Sequence, residues 1–166
     1  MGATYQGKFA ARGCRLALVV SRFNDFITRE LLAGARDGLI RHGVTDAEID
    51  VVWVPGSFEL PMAAARLARS RRYGAIICLG CLIQGDTPHF QFIASEVAKG
   101  VAHVGLEHGT PTVFGVITAD TLEQAIERAG TKAGNKGFDA AMTGLELIDL
   151  YAQIDADLEA PGPVRA

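Results

Sequence analysis

Cysteine, aromatic residues, positive charge and long apolar runs are all scarce in this 166-residue chain, and each shortage closes a class of answer. Three cysteines, an odd number, do not make a disulfide framework. No apolar run reaches the length of a bilayer span, and the opening MGATYQGKFAARG lacks the apolar core of a signal peptide. Sixteen Lys and Arg against nineteen Asp and Glu leave a net charge of -3, which argues against nucleic acid, whose partners carry a basic face. The four histidines, at 42, 89, 103 and 108, lack tight ligand spacing, so no metal site is indicated. The chain reads as a cytoplasmic protein with neither a membrane nor a nucleic acid as its partner.

What is there is an ordinary core. Hydrophobic residues make up 49% of the chain, enough for one domain with a sizeable interior. Residues 1–14 read as an arm with Tyr5 and Phe9 as anchors, residues 15–154 as the domain, and residues 155–166 as a flexible tail. Apolar strands are predicted at Arg15 to Val20, Ile49 to Pro55, Ala75 to Ile83 and Pro111 to Ile117. Helices fill the gaps, with Asn24 or Asp25 capping one to His42, then Phe58 to Ser70, Pro88 to about His108, Thr121 to Ala129, and a last one from Phe138. Strands alternating with helices predict a three-layer αβα sandwich of the flavodoxin-like type, its four-stranded parallel sheet covered by helices on both faces.

In such sheets ligands sit beyond the carboxyl ends of the strands. Those ends carry Phe23 after the first strand, Ser57, Phe58 and Glu59 after the second, and the loop Gly85, Asp86, Thr87, Pro88, His89 after the third. Unpaired N–H groups at a helix start suit a phosphate. Thr87 adds a hydroxyl, and His89 adds an imidazole, a side chain that can both give and take a proton. A lone histidine at a helix start is usually structural, but one beside a phosphate-type loop suits proton transfer. Phe23 and Phe58 are either edge packing or a platform for a flat ring. Glu59 is either a helix-start residue or an acceptor for a polyol.

Other motifs fail. Gly80 to Thr87 nearly fits the phosphate loop of nucleotide hydrolases, but Asp86 stands where the lysine must be. Cys78 and Cys81 form a CxxC inside a strand, where residues three apart face opposite sides, so they read as core. Gly130 to Gly137 (GTKAGNKG) reads as a flexible cationic loop or a solvated turn, with Arg128 just before it. Phe114 lies in mid-strand, away from the carboxyl edge. If Phe114, Arg128 and Lys136 matter, they cannot easily serve their own chain's site, and a neighbour's is the alternative.

Five stretches in order resemble the lumazine synthase family: SRFN at Ser21, VPGSFELP at Val54, GDTPHF at Gly85, TVFGVIT at Thr112 and IERAGTKAGNKG at Ile126. The resemblance covers about Arg15 to Ile154. It implies condensation of 5-amino-6-(D-ribitylamino)uracil with 3,4-dihydroxy-2-butanone 4-phosphate to 6,7-dimethyl-8-ribityllumazine, the penultimate step of riboflavin biosynthesis, with no cofactor or metal. It also implies roles. Phe23 stacks on the ring, Ser57, Phe58 and Glu59 hold the ribityl chain and ring, and Leu82 and Ile83 lend backbone contacts. Gly85, Asp86 and Thr87 bind the phosphate end, and His89 moves protons. From the adjacent subunit come Phe114 against the ring, Arg128 on the phosphate and Lys136 near the pyrimidine. Gln84 departs from the basic residue that many relatives carry there.

The family's assemblies imply a homopentamer, and a short loop at Gly130 to Gly137 leans towards an icosahedral shell of sixty subunits. Two alternatives of other classes follow from the same fold. A flavin-binding module would purify with a yellow cofactor and turn nothing over, and a shell-forming protein would keep only a vestigial site.

Overall fold

The computed structural model describes residues 2–10 and 13–159. Four strands, β1 (Leu16–Ser21), β2 (Ile49–Val54), β3 (Ala75–Ile83) and β4 (Thr112–Ala119), form one parallel sheet in the order β2-β1-β3-β4. Side chains alternate between its faces, and both faces are covered. Leu16, Leu18, Val20, Ile77 and Leu79 pack on one side with α1 (Asp25–Arg41) and α5 (Lys136–Glu159). Ala17, Val19, Ile76 and Cys78 pack on the other with α2 (Leu60–Arg69) and α3 (His89–His108). This is the three-layer flavodoxin-like sandwich. Cys78 and Cys81 fall in opposite layers, as their spacing requires.

The α1 and α5 layer is the tighter one. A Cβ on Gly137 would lie 1.9 Å from the carbonyl oxygen of Leu31, so the two helices touch backbone to backbone there. On the other face Phe114 of β4 is exposed.

Several boundaries differ from the sequence expectation, each for a local reason. Residues 57–59 form a single 3-10 turn before α2, so that helix starts at Leu60. β4 runs two residues further, to Ala119, because β3 pairs with it as far as Ile83. Thr121 caps α4 (Leu122–Glu127) by accepting from the Gln124 N–H, and that helix ends before Ala129. The stretch read as a flexible loop is an ordered hairpin, β5 (Ala129–Thr131) against β6 (Gly134–Asn135). Asn135 fixes it: Nδ2 donates to the Glu30 carbonyl on α1, and Oδ1 accepts from the N–H groups of Gly137 and Phe138. The asparagine thus caps α5 two residues earlier than the apolar stripe suggests.

Helix α5 continues through Asp155 to Glu159, so the first five residues of the expected tail are helical. The arm holds it. Tyr5 donates to Asp157, Gln153 to the Gln6 carbonyl, and the Lys8 N–H to Asp149. Phe9 meets the His42 ring edge-on. The remainder of the expected tail, residues 160–166, lies outside the described residues, as do positions 1, 11 and 12 of the arm.

Candidate active site

Strand order reverses between β1 and β3, and a cleft of ≈ 350 Å³ opens at their carboxyl ends. The chain leaving β1 forms its first wall. Buried polar groups hold that turn: Thr28 Oγ1 donates to the Ser21 carbonyl at 2.7 Å, and the Arg22 N–H donates to Val54 at 2.8 Å. Phe23 then projects into the cleft with 67% of its surface exposed. A large aromatic left that open beside a polar loop offers a face on which a flat ring can stack.

The turn after β2 supplies Ser57 and Phe58. Ser57 is buried, yet its Oγ has no hydrogen-bond partner among the described residues. Buried hydroxyls normally have one, so this group is available to a ligand. Glu59, next in the chain, does not line the cleft. It occupies the residue before α2, and its Oε2 lies near Gly56.

The end of β3 forms the floor, with Cys81, Leu82 and Ile83. Burial pushes the Cys81 thiol up to about 11, which leaves it a neutral wall and no nucleophile. Beyond it stand Gly85, Thr87 and His89 at the start of α3. At the start of this 20-residue helix the Gln91 N–H donates to the Pro88 carbonyl at 3.1 Å, which leaves the N–H groups of His89 and Phe90 without intrahelical acceptors at its positive end. Asp86 belongs to the same exposed loop without lining the cleft.

Among the described residues no lysine or arginine lines the cleft. A phosphate group there would meet the helix start, the Thr87 hydroxyl and the His89 ring, with no full cationic partner from these walls. Arg128 and Lys136 lie elsewhere, and the hairpin sets them side by side: the Lys136 N–H donates to the Arg128 carbonyl at 2.9 Å. Arg128 Nη1 is held by the Gln124 carbonyl and Lys136 Nζ by Asp139. Phe114 pairs in register with Cys78, three residues and about 10 Å before the cleft begins at Cys81. One chain therefore brings together eight of the expected residues and leaves Phe114, Arg128 and Lys136 apart from them.

Asn24, Cys81, Phe90 and Ile93 also line the cleft, outside the set of residues expected to act there. Phe90 and Ile93 follow the helical apolar stripe of α3, so nothing in their pattern separates cleft from core. Asn24 reads as a helix cap, but its side chain caps nothing. Among the described residues no group of three His, Cys, Asp or Glu is placed to hold a metal ion, and no helix is long and apolar enough to cross a membrane. A family model described as 6,7-dimethyl-8-ribityllumazine synthase matches residues 13–152, a span that takes in all six strands and every cleft-lining residue among the described residues.

Proposed function

The chain belongs to the 6,7-dimethyl-8-ribityllumazine synthase family, and from that membership we propose that it condenses 5-amino-6-(D-ribitylamino)uracil with 3,4-dihydroxy-2-butanone 4-phosphate. The products are 6,7-dimethyl-8-ribityllumazine, phosphate and water, made in the cytoplasm without a cofactor. The observation that carries this reading is the cleft itself, whose lining combines the exposed Phe23 ring, a phosphate-type helix start and a buried serine whose hydroxyl has no partner among the described residues.

In this reading the pyrimidine stacks on Phe23 and meets the backbone of Leu82 and Ile83. Its ribityl chain meets Ser57, Phe58 and Glu59. The ketose phosphate lies at Gly85, Asp86 and Thr87, beside His89. An amine attacks the ketone, and water and phosphate then leave, so protons move at every step. A histidine gives and takes them, typically for about 10²–10⁴-fold. Holding the two reactants together contributes more, roughly 7–11 kcal/mol at its upper range.

The missing cation comes from an adjacent subunit. Arg128 offers a planar fork of donors to the phosphate, Lys136 reaches the pyrimidine and Phe114 covers the ring. Such sharing requires a closed ring, which we take to be a homopentamer, with assembly of pentamers into an icosahedral shell as the larger form. Mixing the two substrates with the protein and following the lumazine chromophore tests the activity. No chromophore above the spontaneous rate overturns it, and a yellow cofactor retained without turnover marks a flavin-binding module instead.

A further inference from the structure

Asn24 has left-handed backbone geometry, φ 57° and ψ 47°, shared among the described non-glycine residues only with Arg71. It precedes α1, and its carbonyl accepts from the Ile27 and Thr28 N–H groups. Its side chain turns away from the helix, and Nδ2 donates to the Cys81 carbonyl on β3 at 3.1 Å.

The register of the sheet shows what that bond replaces. β1 pairs with β3 only as far as Val20 and Leu79, whereas β3 runs on to Ile83. On its other edge β3 stays paired with β4 up to Ile83 and Ala119. The last residues of β3 therefore have no strand beside them on the β1 side, and Cys81 is fully buried. A buried carbonyl without a donor is costly, and no water reaches this one. The Asn24 amide stands in for the absent strand.

We propose that Asn24 is a positioning residue for the flat-ring substrate, an inference that rests on the function proposed above. Phe23 is its neighbour in the chain and Leu82 is the neighbour of Cys81, so one hydrogen bond joins the aromatic wall to the backbone floor. A ring that stacks on Phe23 and hydrogen-bonds the floor at its edge needs both at one fixed separation. The phosphate end, built on the start of α3, does not depend on this tie.

Asn24→Gly is the decisive variant, because glycine accepts the left-handed turn and removes only the side chain. We expect its KM for the ribitylaminouracil to rise about tenfold, with kcat and the KM for the ketose phosphate within about twofold. Amide hydrogen exchange at Leu82, whose N–H faces β4, should accelerate about tenfold while Leu16 to Val20 stay protected. Asn24→Asp, which keeps the shape but presents an acceptor to the carbonyl, should behave at least as badly. Unchanged exchange at the end of β3, or equal loss for both substrates with a lowered melting temperature, would overturn the proposal. Should the wild-type protein form no lumazine, the activity fails instead, and the exchange measurement alone decides the tie between Asn24 and Cys81.

Discussion

The hydroxyl of Ser57 lies 2.7 Å from the point where a Cβ on Gly80 would stand. Glycine at this position in the middle of β3 is therefore what lets the 3-10 turn after β2 settle against the sheet with its hydroxyl at the cleft. The same Cβ would meet Leu60 Cδ1 at 3.2 Å and Val116 Cγ1 at 3.4 Å, so it has little room to shift away. We expect Gly80→Ala to displace the Ser57 hydroxyl and raise KM for the polyol-bearing substrate about tenfold, with a smaller effect on kcat. Wild-type KM in a folded Gly80→Ala protein would show that Ser57 is not used.

Most of the scaffold was legible because periodicity reports burial. The unbroken apolar run of β3 and the spacing of Ile27, Leu31, Ala35 and Leu39 on α1 leave few other ways to exclude water. The hairpin at Ala129 to Asn135 was not legible, since its glycines and lysines look like a solvated loop. What orders it is a long-range bond from Asn135 to Glu30 on α1, 105 residues away in sequence. Asn24 misled for a related reason. An asparagine before a helix is a good cap by local rules, and only the unequal lengths of β1 and β3 turn its side chain to Cys81. Local signals gave the elements and the strand-end residues, while the contacts that bind distant segments needed the fold.

At the opposite edge of the sheet, Asp50 on β2 accepts from Arg15 at 2.6 Å and from Tyr73 at 2.8 Å. The Arg15 hydrogen bond, then that of Tyr73, holds the Asp50 carboxyl below its ordinary value. A carboxylate lowered by folding contributes stability above its unfolded pKa of about 3.9, and that contribution is lost as pH falls through the lower folded value. The group is partly exposed, so the effect is modest. We expect Asp50→Asn to lower the melting temperature by about 1–4 °C near pH 7, with the gap to wild type closing in acid, below the ordinary range of a carboxyl. Calorimetry at both pH values checks this, and a gap that persists in acid would assign the loss to packing.

Single variants at the two proposed chemical groups should fail differently. His89→Ala removes a proton carrier but not the joint binding of the reactants, so turnover should fall by about 10²-fold or less and stay measurable. Arg128→Ala should leave the pyrimidine KM near wild type and raise that of the ketose phosphate about tenfold or more. Steady-state kinetics in both substrates separates the two. Complete loss in an assembled His89→Ala protein would reverse the ranking of positioning over proton transfer, and equal effects of Arg128→Ala on both substrates would remove it from the phosphate.

The arrangement of Arg128 on the hairpin and His89 at the cleft makes a stronger test possible, because two defective chains should repair each other. A severe His89 variant and a severe Arg128 variant are unfolded together and allowed to co-assemble. A site is whole when the chain giving the histidine carries the Arg128 change and its neighbour carries the His89 change. With equal, random mixing around a closed ring, each condition holds half the time, so about a quarter of sites are intact. Activity should then rise above the average of the separately refolded variants, towards about a quarter of wild type. If both residues served one chain's own site, every site would keep a defect and mixing would give only that average. Mixing after separate assembly is the control, and it should give no gain. Co-assembly confirmed by native mass spectrometry, with activity still at the average, would return Arg128 to its own chain and leave the phosphate without its cation.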